Sequence, residues 1–411
     1  ALKIVGEPLC SVPPAEIPVE IHASHGKRRV GMPIDRLRRA GRQDKQEQCG
    51  NAFHAGYTHG LPLWFPGRKL GGDSMDRRGF ITAAAACSVV SASMLPVARA
   101  QQPPARFSEA IAYSADRGGT TFLVVRNGVV LGEAYQDGNA DTRWPIGEGT
   151  HALMPLLMGA LVSDRLLRLD DPVSMTLGVW SDPERQVIST RTLLNGTSGI
   201  SFGPNDTHDL NTALTLQPPP AQGVVRFSDD AATYFLLAEI ARRKLLTYDG
   251  ATDPAQYLTD RVLGPIGCVP VGWTRNPDGS ARFDDGCAVS ARGWAEVGEL
   301  IRRNGVWRAE QIVDSSTMMD TLRGSLIEPR AGFGFWLASA TRRSDGLPVN
   351  SDLWSASSPA PVDLAMAAGA QGQRLYVVPS RDLVIVRQTR ANVTSAPWSD
   401  AAFLTAIWRN L

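Results

Sequence analysis

Two β-rich runs near residue 120 and three more near residue 380, with helical stretches between them, constrain this chain more than any other feature. Thr121 to Val125 and Val129 to Tyr135 flank Arg126-Asn127-Gly128. Asn-Gly between such runs favours a tight primed turn, so a hairpin is expected there. Leu364 to Ala368, Arg374 to Val378 and Leu383 to Arg387 repeat the β-rich pattern, separated by Gln/Gly and Pro-Ser-Arg-Asp turns. Asp400 to Trp408 then reads as an apolar helix. In the middle, Thr150 to Leu166 is a predicted buried helix ending before Asp170-Asp171-Pro172, Ala231 to Lys244 a second, and Ser290 to Asn304 a third opened by a serine cap. This order predicts an α/β (α+β) fold. One antiparallel sheet is built from both ends of the chain and flanked by helices, with a helical subdomain between.

The folded part does not begin at residue 1. Met75-Asp76-Arg77-Arg78-Gly79-Phe80-Ile81 precedes an Ala-rich apolar stretch to Val97 and then Ala98-Arg99-Ala100. Paired arginines, a modest apolar run and a small-x-small site form the pattern of a twin-arginine signal peptide, so residues 75–100 are expected to direct export to the periplasm or beyond. Met75 is then the expected start of translation. Residues 1–74 show no sustained period of 2 or 3.6 and read as an over-extended start or an unstructured leader. Residues 101–114 are expected to form a linker and 115–411 the domain.

Charge narrows the partners. Of 42 Lys and Arg and 41 Asp and Glu in the chain, residues 101–411 hold 28 and 33, a net charge of −5 without a basic cluster. That argues against nucleic acid and against an anionic membrane surface. No run after the signal approaches the ~20 apolar residues of a spanning helix, so no membrane association is expected once the signal is cleaved. Cys268 and Cys287 are the only cysteines after residue 100, and an oxidising compartment would permit a disulfide between them, with two independent buried thiols as the alternative. No Gly-rich phosphate loop or Cys/His zinc pattern is present there, and no cofactor is expected.

Six segments, in order, carry a family resemblance: Phe122-Leu-Val-Val-Arg-Asn-Gly, Leu169-Asp-Asp-Pro-Val, Thr192-Leu-Leu-Asn-Gly-Thr-Ser-Gly-Ile, Arg226-Phe-Ser-Asp, Val262-Leu-Gly-Pro-Ile-Gly and Gly372-Gln-Arg-Leu-Tyr-Val-Val-Pro-Ser-Arg-Asp-Leu-Val. They resemble the serine β-lactamase-like and penicillin-binding-protein-like hydrolases, which include class C β-lactamases, related esterases and 6-aminohexanoate-dimer hydrolases. The resemblance implies the same sheet-and-helix fold, with a cleft beside a helical subdomain. It also implies a Ser-x-x-Lys at the start of a buried helix, a Tyr-x-Asn or similar second motif, and a Lys- or His-containing third motif on a strand.

None of the three is intact. Counting back from Leu156-Leu157-Met158-Gly159 puts Glu148 at the serine position and His151 at the lysine position. Lys244 is the only lysine after residue 100, with Ala241 three residues before it, so no shift of alignment restores the pair. Asp229-Asp230-Ala231 stands where the second motif is expected, and Met366-Ala367-Ala368-Gly369 keeps a glycine but has Ala367 in place of the cation. Ser24-His25-Gly26-Lys27 matches Ser-x-x-Lys by chance, outside the expected domain.

Glu148, Thr150, His151, Asp229, Asp230 and Gly369 are the candidate pocket. One reading is a pseudoenzyme that keeps the cleft and binds a small molecule or peptide without acylation. The other is a hydrolase of small amides, esters or lactams in which Glu148, His151 and Asp229 activate water. The same three side chains are also a metal-ligand possibility, which the reading does not favour. Ser198, in Thr197-Ser198-Gly199, reads as a turn residue rather than a substitute nucleophile, His208 as a solvated loop histidine, and Trp273, Trp294, Trp307 and Trp336 as core and pocket wall.

Overall fold

The computed structural model describes residues 106–219, 226–269, 271–338, 346–390 and 396–411. The expected leader (1–74) and signal peptide (75–100) lie outside them. A six-stranded antiparallel sheet holds β1 (Gly119–Arg126), β2 (Val129–Tyr135), β8 (Trp336–Leu337), β9 (Ala365–Gly369), β10 (Gln373–Val378) and β11 (Leu383–Thr389), in the order β2-β1-β11-β10-β9-β8. A small second sheet joins β3 (Trp144–Pro145), β5 (Cys287–Val289) and β4 (Gly272–Trp273), and β6 (Val306–Trp307) pairs with β7 (Glu310–Gln311) as a hairpin. The first and last strands of the described chain meet at the sheet's centre, where β1 pairs with β11 from Phe122 opposite Arg387 to Arg126 opposite Leu383.

The expected hairpin is present, because Asn127 (φ 49°) and Gly128 (φ 79°) both take the left-handed conformations a primed turn needs. Alternation along the buried strands then divides the core into two layers. Leu123, Val125, Leu375, Val377, Val384 and Val386 face the helices Met154–Ser163 and Ala291–Arg302. Phe122, Val124, Tyr376, Val378, Leu383 and Ile385 face the opposite layer, which contains Phe107, Phe403, Leu404 and Ile407.

Three sequence expectations need correction. Residues 108–114, read as linker, belong to the helix Ser108–Ala115, anchored by fully buried Phe107 and Ala110. The buried helix expected from Thr150 begins as a 3-10 turn, Gly147–Leu153, and becomes α-helical only at Met154–Ser163. Pro155 sets that boundary, since proline is tolerated in a helix's first turn and clashes with a turn before it. Third, Cys268 and Cys287 are free thiols, each enclosed in the apolar core as a small hydrophobic side chain, so the expected bridge does not form. Burial, with Glu296 adding to it, pushes the Cys268 thiol up to about 12, a value at which it does not exchange. The helices Ala231–Tyr248 and Asp400–Trp408 fall where expected, the first running four residues further because Leu245 is still buried.

Beneath the Asp400–Trp408 helix, charges are fully enclosed. Asp400 accepts from Arg374 Nε (2.9 Å), Trp398 Nε1 (2.9 Å), Ser351 Oγ (2.6 Å) and the Tyr376 hydroxyl. Arg374 also donates to the carbonyls of Gly369 (3.2 Å) and Asn350 (3.0 Å). Burial alone would raise the Asp400 carboxyl, but the Arg374 charge and these donors outweigh it and hold it below the usual carboxylate range. Replacing Asp400 by Asn strands the Arg374 charge. It should cost about 3–5 kcal/mol, read as a lowered urea midpoint with an unchanged slope.

Candidate active site

The sequence from Gly147 to Leu153 is pressed against the sheet so closely that two glycines are required. A Cβ on Gly369 would lie 2.0 Å from the carbonyl oxygen of Ile146, and one on Gly334 (φ 68°) would lie 2.3 Å from that of His151. The turn is therefore clamped between the end of β9 and the 331–335 segment. In a 3-10 turn residues i and i+3 eclipse, so Glu148 and His151 are presented on one side.

Their side chains then take different partners. Glu148 is exposed, and its Oε2 accepts the backbone N–H of Ala370 at 2.8 Å. His151 is buried at 8 % exposure, its Nδ1 lying 3.4 Å from Asp229 Oδ1. The imidazole stacks on Tyr234, ring centroids 3.7 Å apart and planes 13° from parallel. Tyr234, from the second turn of the Ala231–Tyr248 helix, donates its hydroxyl to the same Asp229 oxygen at 3.0 Å. Burial works against the Asp229 carboxylate, yet the charge and hydrogen bond of His151 and the Tyr234 hydroxyl hold its carboxyl below the usual range. Burial, then the Asp229 charge, pushes the Tyr234 phenol well above its ordinary value, so Tyr234 remains a donor rather than a base.

Glu148, His151 and Asp229 thus line one cleft of about 590 Å³, together with Asp284, Asp285, Trp336, Ala368 and Arg117. The other candidates are structural. Asp230 caps the Ala231–Tyr248 helix through Ala232 N–H (2.9 Å) and accepts Phe202 N–H (3.2 Å). Buried Thr150 accepts Cys287 N–H at 3.1 Å, tying the 3-10 turn to β5. Ala367 points into the apolar layer and Ala368 lines the cleft, while Gly369 supplies the close approach described above. Ser198 accepts Ile200 N–H (3.2 Å) within its turn, and exposed His208 stacks on Phe202. Among the described residues, no group of three His, Cys, Asp or Glu side chains could hold a metal ion.

Sequence reasoning did not single out Tyr234, Asp284, Asp285, Arg117 or the Ala370 amide. Asp284 and Asp285 lie in a turn before β5 with no motif around them, and a backbone N–H leaves no trace in the sequence.

An antiparallel sheet covered by helices, with a 3-10 turn and a helix start converging on a cleft beside β9, defines a β-lactamase-like scaffold. The family model described as Beta-lactamase matches residues 105–406, and the chain belongs to the β-lactamase family. Among solved structures it is similar to a penicillin-binding protein homolog from Caulobacter crescentus (TM-score 0.56, 15% identity, covering 75% of this chain and 98% of that one). It is also similar to a class C β-lactamase from Rhodobacter sphaeroides (TM-score 0.52, 16% identity, 74% and 96%) and to a family VIII carboxylesterase (0.55, 16%, 74% and 96%). At these identities the likeness is one of fold. No curated protein matches the sequence.

The His151–Asp229–Tyr234 group gives a test of its own. Asp229→Asn should destabilise the protein by about 1–3 kcal/mol at pH 7. Because the folded Asp229 pKa is depressed, its contribution is complete above the unfolded value near ~4 and is lost as pH falls through the lower folded value. Denaturation curves of wild type and variant should therefore converge on acidification.

Proposed function

We propose that this chain is an exported, non-acylating member of the β-lactamase family, a binding or regulatory protein that holds a small molecule or peptide in its cleft. The observation that carries the reading is the 2.8 Å hydrogen bond from the Ala370 N–H to Glu148. Acyl transfer needs a nucleophile and a free donor aimed at the oxyanion that develops. Here the side chain at the nucleophile position is a carboxylate, and it occupies the backbone donor beside it. Attack by Glu148 on an acyl substrate would give an anhydride, which gains little over direct attack by water. Among the described residues no lysine is within reach to activate a hydroxyl, since Lys244 lies near the far end of the Ala231–Tyr248 helix. The Arg77-Arg78 pattern supports export.

A second reading has one observation in its favour. The Asp229 carboxylate orients the His151 ring through Nδ1, the arrangement by which a carboxylate sets an imidazole up as a general base for water. In that case the cleft hydrolyses small amides, esters or lactams without a covalent intermediate.

Incubation with a fluorophosphonate or a fluorescent penicillin should leave the intact mass of the purified protein unchanged. Stoichiometric labelling would overturn the non-acylating reading. Turnover of a chromogenic ester that disappears in both Glu148→Gln and His151→Ala would replace the binding reading with the hydrolytic one.

A further inference from the structure

We infer that the cleft selects a short ligand by its free cationic amine, placed against the wall formed by Glu148, Asp229, Asp284 and Asp285, with a carboxylate end directed to Arg117. This inference rests on the binding reading above and names the ligand class. The acidic wall is under-compensated. Arg282 is shared between Asp284 (3.2 Å) and Asp285 (2.8 Å), and Glu148 is held by a neutral N–H. Even with His151 protonated, the wall carries excess negative charge. Burial, then the neighbouring Asp284 and also Glu148, pushes the Asp285 carboxyl up, as expected of carboxylates crowded together without enough cations. An ammonium group offers three donors and no acceptor, which matches a wall whose free atoms are carboxylate oxygens.

The same cleft also holds a cation. Arg117 lies 3.7 Å over the Tyr113 ring and donates to the carbonyls of Pro397 (3.0 Å) and Tyr113 (3.2 Å), but it contacts no carboxylate among the described residues. The other arginines lining the cleft are engaged, Arg390 by Asp137 (2.6 Å) and Arg374 by Asp400 (2.9 Å). An independent sign of a missing polar partner comes from Thr389. It lines the same cleft at 2 % exposure, and its hydroxyl has no hydrogen-bond partner among the described residues. A buried hydroxyl left unpaired is costly, and a polar ligand atom at that point would satisfy it. The cleft's size is that of a small-molecule site.

Calorimetric titration of the full chain with tetraglycine, N-acetyltetraglycine and tetraglycine amide, at low ionic strength, tests this. Tetraglycine should bind roughly tenfold or more tightly than its N-acetyl form. Asp285→Asn should weaken tetraglycine roughly tenfold and leave N-acetyltetraglycine unchanged, and Arg117→Gln should weaken tetraglycine but not the amide. Equal affinity of the free and acetylated peptides, or no heat with tetraglycine at millimolar concentration, overturns the inference. The two failures are distinguishable: a covalent adduct with the fluorophosphonate sinks the binding reading itself, whereas absence of both adduct and amine preference sinks only the ligand class.

Discussion

An arginine and an aspartate enclosed in the protein hold the cleft in shape. Arg374, on β10, and Asp400, at the start of the last helix, are both almost fully buried. Isolated in an apolar layer, either charge would carry a desolvation penalty of several kcal/mol. Paired, and supplied with Tyr376, Trp398, Ser351 and the carbonyls of Gly369 and Asn350, they form a satisfied polar island. It connects the C-terminal helix to the sheet and reaches the end of β9, where Gly369 meets the 3-10 turn and Ala370 offers its amide. The cleft rim is thus fixed by an enclosed ion pair whose arginine also lines the cleft.

On that rim, residues 148, 151 and 229 form a consistent set. A lysine at 151 would face the Asp229 carboxylate and be held protonated by it; a histidine there instead stacks flat on Tyr234 and shares Asp229 with the phenol. A serine at 148 would leave the Ala370 N–H free for a substrate; glutamate fills it. Each of these side chains is chemically matched to its neighbours, and together they make a wall dominated by carboxylates.

Most of the architecture was legible because it depends on periodicity and turn chemistry. Asn127-Gly128 announced the hairpin, Ser290 its helix cap, and the Asp400–Trp408 helix was legible residue for residue. The convergence of Glu148, His151 and Asp229 on one cleft was legible only through the resemblance, since nothing in their spacing places residue 229 beside residue 151. What stayed hidden depends on three-dimensional approach. Tyr234 looked like another apolar helix position, Asp284 and Asp285 like a polar turn, and the state of Cys268 and Cys287 cannot be read from a separation along the chain. The 3-10 start at Gly147 was missed because a proline two residues into a helix shapes the turn before it as well as the turn it enters.

The stacked imidazole also governs what chemistry substitutions at this site could support. Serine placed at 148 would stand on the same side of the 3-10 turn as an imidazole backed by the Asp229 carboxylate, whereas lysine placed at 151 would be an ammonium held by Asp229 rather than an amine able to take a proton. Only when residue 229 changes as well does the lysine lose its counter-ion. The neighbours of residues 148 and 151, rather than those two side chains alone, therefore decide which nucleophile and base the site could support.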